Sequence, residues 1–219
     1  MDPTTERLSR TIWIGVGLVI VILCISFVLS RLKPRAYRAP KLPVLGQVAD
    51  FALTNQSGQA VTLADLRGKV WVADIIFTRC SGPCPRMTHQ MQSVQDATTT
   101  VGSVRFVTLT SDPEFDTPEV LKKYPARIGV KATERWEFLT GNKKQVYGLA
   151  IDSLKLTAIE KKPEERIDEA DLFIHSTIFV VVDQQARLRG VFETGGDGVE
   201  WTNVQPTIIA TIKQLERER

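Results

Sequence analysis

Hydrophobic positions fall into two regimes along the chain. From Thr11 to Ser30 there is no charged residue, and Ile, Val and Leu dominate. Twenty such residues rise about 30 Å as a helix, the thickness of a bilayer core, which predicts a single transmembrane helix over 11–30. Trp13 and Arg31 sit where interfacial anchors belong, and no small-residue cleavage site follows before Arg31. Cys24 lies inside this run and reads as a small apolar residue. Beyond it, residues 31–46 are rich in proline and basic side chains, as in a linker along a membrane surface. Short apolar runs separated by polar turns then continue to the end of the chain, so residues 47–219 form the folded domain and 1–10 a tail.

Within that domain, 51–53 and 59–63 flank Asn55-Gln56-Ser57-Gly58 as a β-hairpin, and 63–68 reads as one helical turn closed by glycine. Val70 to Phe77 is a strand buried on both faces, with Asp74 as its polar interruption. A helix is predicted from Pro85 to Ala97 and a strand from Val104 to Thr110. A second helix opens at Thr117-Pro118-Glu119 and runs to Pro125, followed by a strand over 134–139 and a helix over 143–151. Residues 153–170 are charged and read as a solvated loop or hairpin. Strands over 172–182 and 188–192 join through a tight turn, and a last helix starts near Asn203. Strand, helix, strand, helix, then hairpin and helix is the order of a thioredoxin-like α/β sandwich, here with an N-terminal β-hairpin.

Charge refines this picture. Residues 1–41 carry a net charge of +5, so the whole chain's +3 leaves −2 for residues 42–219. The domain therefore has no cationic surplus with which to hold nucleic acid. Three cysteines do not make a disulfide framework, which singles out the pair Cys80 and Cys84. The pair stands where the buried strand hands over to a helix, and the unpaired N–H groups and dipole of a helix start favour thiolates. Two soft ligands at one spot suit either a soft metal or a reversible disulfide. Of the two histidines, His89 points away from the apolar face of its helix, whereas His175 sits in an apolar strand where a polar group needs a partner. Cys80, Cys84 and His175 together would make a two-sulfur, one-nitrogen site suited to Cu(I), and to Cu(II) with an added ligand. A structural zinc site would need a fourth protein ligand.

The segments 77–85 (FTRCSGPCP), 111–121 (SDPEFDTPEVL), 136–141 (WEFLTG) and His175-Ser176-Thr177 resemble the Sco/SenC family, in order from Val44 to the C-terminus. The resemblance implies a membrane-anchored copper protein of thioredoxin-like fold, with Cys80, Cys84 and His175 as metal ligands. Its implied partner is the cytochrome c oxidase subunit that carries the dinuclear copper site, with other copper chaperones and thiol reductants as further partners. It also implies an extracytoplasmic domain, in a bacterial periplasm or a mitochondrial intermembrane space; the N-terminus lacks the character of a transit peptide, which favours the bacterium. Copper delivery and thiol–disulfide exchange by Cys80 and Cys84 both remain open. Ser81-Gly82 and Ile174 depart from the Pro-Asp and aspartate common in the family.

Overall fold

The computed structural model describes residues 3–31, 40–166 and 172–218. The chain divides into two compact units, Met1–Pro40 and Lys41–Arg219. The first holds α1 (Pro3–Arg31). Its apolar side chains are exposed, among them Ile12, Trp13, Leu23 and Phe27, as is Cys24. Among the described residues no helix is long and apolar enough to cross a membrane. The transmembrane helix expected over 11–30 is therefore not borne out.

The second unit begins with β1 (Gly46–Gln47), β2 (Ala52–Asn55) and β3 (Ala60–Thr62), then the one-turn α2 (Leu63–Leu66) and β4 (Trp71–Ile76). Next come α3 (Pro83–Ala97), β5 (Arg105–Thr110), α4 (Pro118–Arg127), β6 (Trp136–Thr140) and α5 (Lys143–Tyr147). The chain closes with β7 (Ala158–Glu160), β8 (Phe173–His175), β9 (Ile178–Val182), β10 (Arg187–Glu193) and α6 (Trp201–Arg217). Eight strands form one sheet in the order β1-β10-β9-β4-β5-β6-β2-β3, while β7 and β8 form a separate two-stranded sheet. β4, β5 and β6 are parallel, and β9 lies antiparallel beside β4. This is the expected α/β sandwich. Along β4 the side chains alternate between two cores: Val72 and Ile76 face Met87, Met91, Leu121 and Ile208, while Trp71, Ala73 and Ile75 face Val146, Leu149 and Leu154.

The predicted hairpin forms as β2 and β3, its turn held by the Asn55 carboxamide oxygen, which accepts from the N–H groups of Ser57 and Gln59, each at 2.9 Å. Three boundaries move. α3 starts at Pro83, not Pro85, because Gly82 serves as N-cap and proline fits the first helical position. α4 runs through Pro125 to Arg127, since a proline this near the helix end removes a single bond, to Leu121. The helix predicted over 143–151 winds into a π-turn at Gly148–Ser153.

The strand read over 172–182 is two strands in two sheets. Thr177 keeps the β9–β10 register one step beyond Ile178, its carbonyl oxygen accepting from the backbone N–H of Thr194 at 2.7 Å and from the Thr194 hydroxyl at 2.8 Å, whereas the Ser176 N–H donates to the Thr157 carbonyl at 3.1 Å on the β7 side. β8 turns away to pair with β7 inside the charged 153–170 segment, whose residues 167–170 lie outside the described residues.

Candidate metal centre

β4 delivers the thiol turn. Phe77, just past its end, is 2% exposed, and the Cys80 N–H donates to the Phe77 carbonyl at 3.2 Å, closing the turn. Cys80 is half-buried, and Cys84 is fully buried at the second position of α3. The two thiols are hydrogen-bonded to each other. Burial pushes the Cys84 thiol well above its ordinary range; the bond to Cys80 and the negative charge of Asp74 add to the rise, and the Phe77 N–H opposes it. The helix start was expected to favour a thiolate here. Desolvation overrides it, and Pro83 and Pro85 supply no N–H in the first turn.

The segment between β5 and α4 clamps this turn. Asp116, fully buried, accepts from the Thr78 N–H at 3.1 Å, from the Thr78 hydroxyl, and from the Thr110 hydroxyl at 2.5 Å. Burial raises the Asp116 carboxyl above its usual value, partly offset by those bonds. Arg127 of α4 donates to the Thr78 carbonyl. Next along, Arg79 pairs with Asp112 at 2.6 Å, its guanidinium lying 4.1 Å from the Phe115 ring centroid. The sequence marked 111–121 by resemblance alone; that Asp112, Phe115 and Asp116 grip the two residues before Cys80 is visible only in three dimensions.

A polar cluster lies under the helix start. Asp74, fully buried, accepts from the Thr108 hydroxyl at 2.7 Å, and Thr108 accepts from the indole N–H of Trp136 at 2.9 Å. The Thr88 hydroxyl donates to the Cys84 carbonyl at 2.9 Å and lies 3.2 Å from the Tyr124 hydroxyl. Burial carries the Tyr124 phenol far above its ordinary range.

His175 ends β8, its backbone in register with Ala158 of β7. Its side chain lies outside the described residues. β8 is nonetheless fastened to the thiol turn: the Phe173 and Phe77 rings meet edge to face with centroids 5.1 Å apart. Residue alternation puts positions 173 and 175 on one face of β8. Among the described residues no group of three His, Cys, Asp or Glu is arranged to hold a metal ion. What the described residues bring together is the Cys80–Cys84 pair, and two adjacent sulfurs suit a soft monovalent ion such as Cu(I). His89 is exposed on α3.

A family model described as SCO1/SenC matches residues 44–208. The SCO1 protein homolog of Bacillus subtilis (strain 168) is 37% identical over 150 residues, covering 68% of this chain and 74% of that protein. The solved structure of BsSco, described as having a disulfide switch and as a member of the Sco family of cytochrome c oxidase assembly proteins, superposes with a TM-score of 0.66. It is 31% identical and covers 82% of this chain and all of its own. Bradyrhizobium japonicum ScoI, solved with copper bound, shares the fold at a TM-score of 0.62, 23% identity, and coverage of 77% and 99%.

Proposed function

The chain belongs to the SCO1/SenC family, and from that premise we propose that it is a copper chaperone that takes up one copper ion on Cys80, Cys84 and His175 and hands it to a partner. The observation that carries this reading is the hydrogen-bonded thiol pair at the end of β4, with the strand of His175 packed on the same turn through Phe173 and Phe77. Copper is cargo here. Binding Cu(I) on both sulfurs releases both thiol protons, and the buried Cys84 proton is the harder to remove. Cys80, the more accessible sulfur, meets the ion first; Cys84 closes on it.

The test is anaerobic copper titration of the reduced full chain, wild type beside Cys80→Ser, Cys84→Ser and His175→Ala. One copper per chain is expected, with each variant weakened by roughly 100-fold or more, beyond what outer-sphere partners carry. Unchanged binding of Cu(I) and Cu(II) by His175→Ala ends the three-ligand reading.

The receiving partner we assign is the cytochrome c oxidase subunit with the dinuclear copper site, consistent with how BsSco is described. The exposed apolar stretch 12–28 of α1 associates with a membrane, holding the domain on the extracytoplasmic side. The full chain should cosediment with phospholipid vesicles and a chain starting at Lys41 should stay in the supernatant; a full chain that also stays in the supernatant ends the tether.

Thiol–disulfide exchange is the second reading, favoured by the asymmetry of one accessible and one buried thiol in contact, and by the disulfide switch described for BsSco. In that role the Cys80 thiolate attacks a partner disulfide, and Cys84 resolves the mixed disulfide. Reduction of a partner that persists under strict copper chelation would establish it; complete dependence on copper would exclude it.

A further inference from the structure

We propose that the Thr194–Gly195 turn after β10 is a latch that fixes the corner carrying His175 against the thiol helix, making Thr177, Gly195, Gln90 and Arg86 positioning residues for the site. The consequence for copper rests on the chaperone reading above; the latch itself does not.

The corner needs an external hold. β8 is three residues long and pairs with β7 in a two-stranded sheet separate from the main one. An isolated two-stranded ladder is marginal in water. The residues after it, Ser176 and Thr177, link it to β9.

Thr177, two positions beyond His175, is bound reciprocally to the 194–195 turn. Its carbonyl accepts from the Thr194 N–H at 2.7 Å and from the Thr194 hydroxyl at 2.8 Å, while its own hydroxyl donates to the Gly195 carbonyl at 2.8 Å. The other side of the same turn is held by α3. Gln90 donates from its side-chain amide to the Thr194 carbonyl at 3.0 Å. The Arg86 guanidinium lies against Gly195: a Cβ there would stand 2.0 Å from Nη2 and 2.8 Å from Cζ. Arg86 and Gln90 are one helical turn apart on one face, two and six residues after Cys84. Gly195 is not among the positive-φ glycines, so it is the close approach of the guanidinium, rather than backbone conformation, that a side chain here would disturb.

The chain of contacts therefore runs from Cys84 along α3 to Arg86 and Gln90, across Thr194 and Gly195, to Thr177 and the end of β8. Thr194 is 1% and Gln90 8% exposed, so these bonds are shielded from competing water. Such a link sets how β8 stands relative to the sulfurs, and a ligand displaced by about 1 Å is enough to spoil a metal site.

The test uses the full chain with Thr177→Val, which removes the donor at constant volume; Thr177→Ser, which restores it; and Gly195→Ala, which expels the flexible Arg86 tip. In the reduced, metal-free chain, amide hydrogen exchange at 173–177 should rise about fivefold in Thr177→Val, as for one lost hydrogen bond, return to normal in Thr177→Ser, and rise in Gly195→Ala. After loading with Cu(II), Thr177→Val should bind roughly 5- to 10-fold more weakly. Its nitrogen coupling in the electron paramagnetic resonance spectrum should be diminished, with the thiolate-to-copper absorption kept. Unchanged exchange in both Thr177→Val and Gly195→Ala overturns the latch, whether or not the chain takes copper. Faster exchange with wild-type affinity and nitrogen coupling overturns the positioning role. A wild-type chain without nitrogen coupling overturns the chaperone site and the copper consequence with it, leaving the latch to stand or fall on exchange alone.

Discussion

Cys84 occupies the second position of α3, where an exposed thiol would gain from unpaired N–H groups and the helix dipole, yet it is fully buried and its proton is held more tightly than usual. Cys80, four residues earlier, is half-buried and lies just outside the helix. The two thiols should therefore differ in reactivity. In the reduced chain at pH 7, iodoacetamide should modify Cys80 at least about tenfold faster than Cys84, because reaction requires both access and thiolate. Mass spectrometry of timed digests reads this directly, and equal rates would contradict the burial. Asp116 is a second residue with a disproportionate role. It accepts from Thr78 twice and from Thr110 once, all in buried surroundings. Asp116→Ala strands those donors and should cost roughly 2–4 kcal/mol in urea unfolding, with the thiol turn loosened. A loss under about 0.5 kcal/mol would show that water replaces the carboxylate without penalty.

At the scale of elements, the decisive piece is the β7–β8 arm, attached by a ring contact and a corner rather than by a place in the main sheet. Phe173→Ala removes the edge-to-face contact with Phe77 and should destabilise the domain by about 3 kcal/mol, with faster amide exchange concentrated at 158–160 and 173–175. Exchange rising equally across the main sheet would instead mean that the arm is part of the global unit. The arm is also where sequence reading stopped short. Apolar periodicity sees 172–182 as one run, because Phe173, Phe179 and Val181 are all buried, and nothing in that pattern says that Phe173 and Phe179 belong to different sheets. The break falls between Ser176, whose N–H bonds the Thr157 carbonyl on the β7 side, and Thr177, which bonds Thr194 in continuation of the β9–β10 pairing, and both partners lie far away in the chain. β4, by contrast, was fully legible, since every residue from Trp71 to Ile76 is buried and the sequence is apolar but for Asp74. The thiol pair was legible from spacing and position. Its clamp from Asp112, Phe115 and Asp116 was not, because a charged loop after a strand looks the same whether it is solvated or gripping a neighbour.

For the domain as a whole, closure depends on a buried ion network at the edge opposite the hairpin. Arg189, with its side chain 2% exposed, bonds Asp183 at 2.6 Å, Glu218 at 2.7 Å, the Leu42 carbonyl at 2.7 Å and the Pro43 carbonyl at 3.1 Å. It thus joins the start of the domain, the β9–β10 turn and the end of α6. Burial works against the charges of Asp183 and Glu218, but bonds from Arg187 and Arg189 to Asp183, and from Arg189 and Gln214 to Glu218, hold both carboxyls below their usual values. A depressed folded pKa contributes stability that is complete above the unfolded value and disappears as pH falls through the folded one, so this network weakens below about pH 4. Asp116 runs the other way: its raised carboxyl makes stability decline as pH rises from about 4 through its folded value. Asp183→Asn separates the two. At pH 7 it should lose about 2–3 kcal/mol, less than a lone buried pair, because Glu218 and two carbonyls still hold Arg189. Below pH 4 the gap to wild type should close, since the wild-type carboxylate is then being protonated as well. Urea midpoints measured from pH 2.5 to 7 decide it: a gap that stays constant to pH 2.5 would mean that Asp183 acts through packing and hydrogen-bond geometry rather than charge, and that closure of the domain owes little to ion pairing.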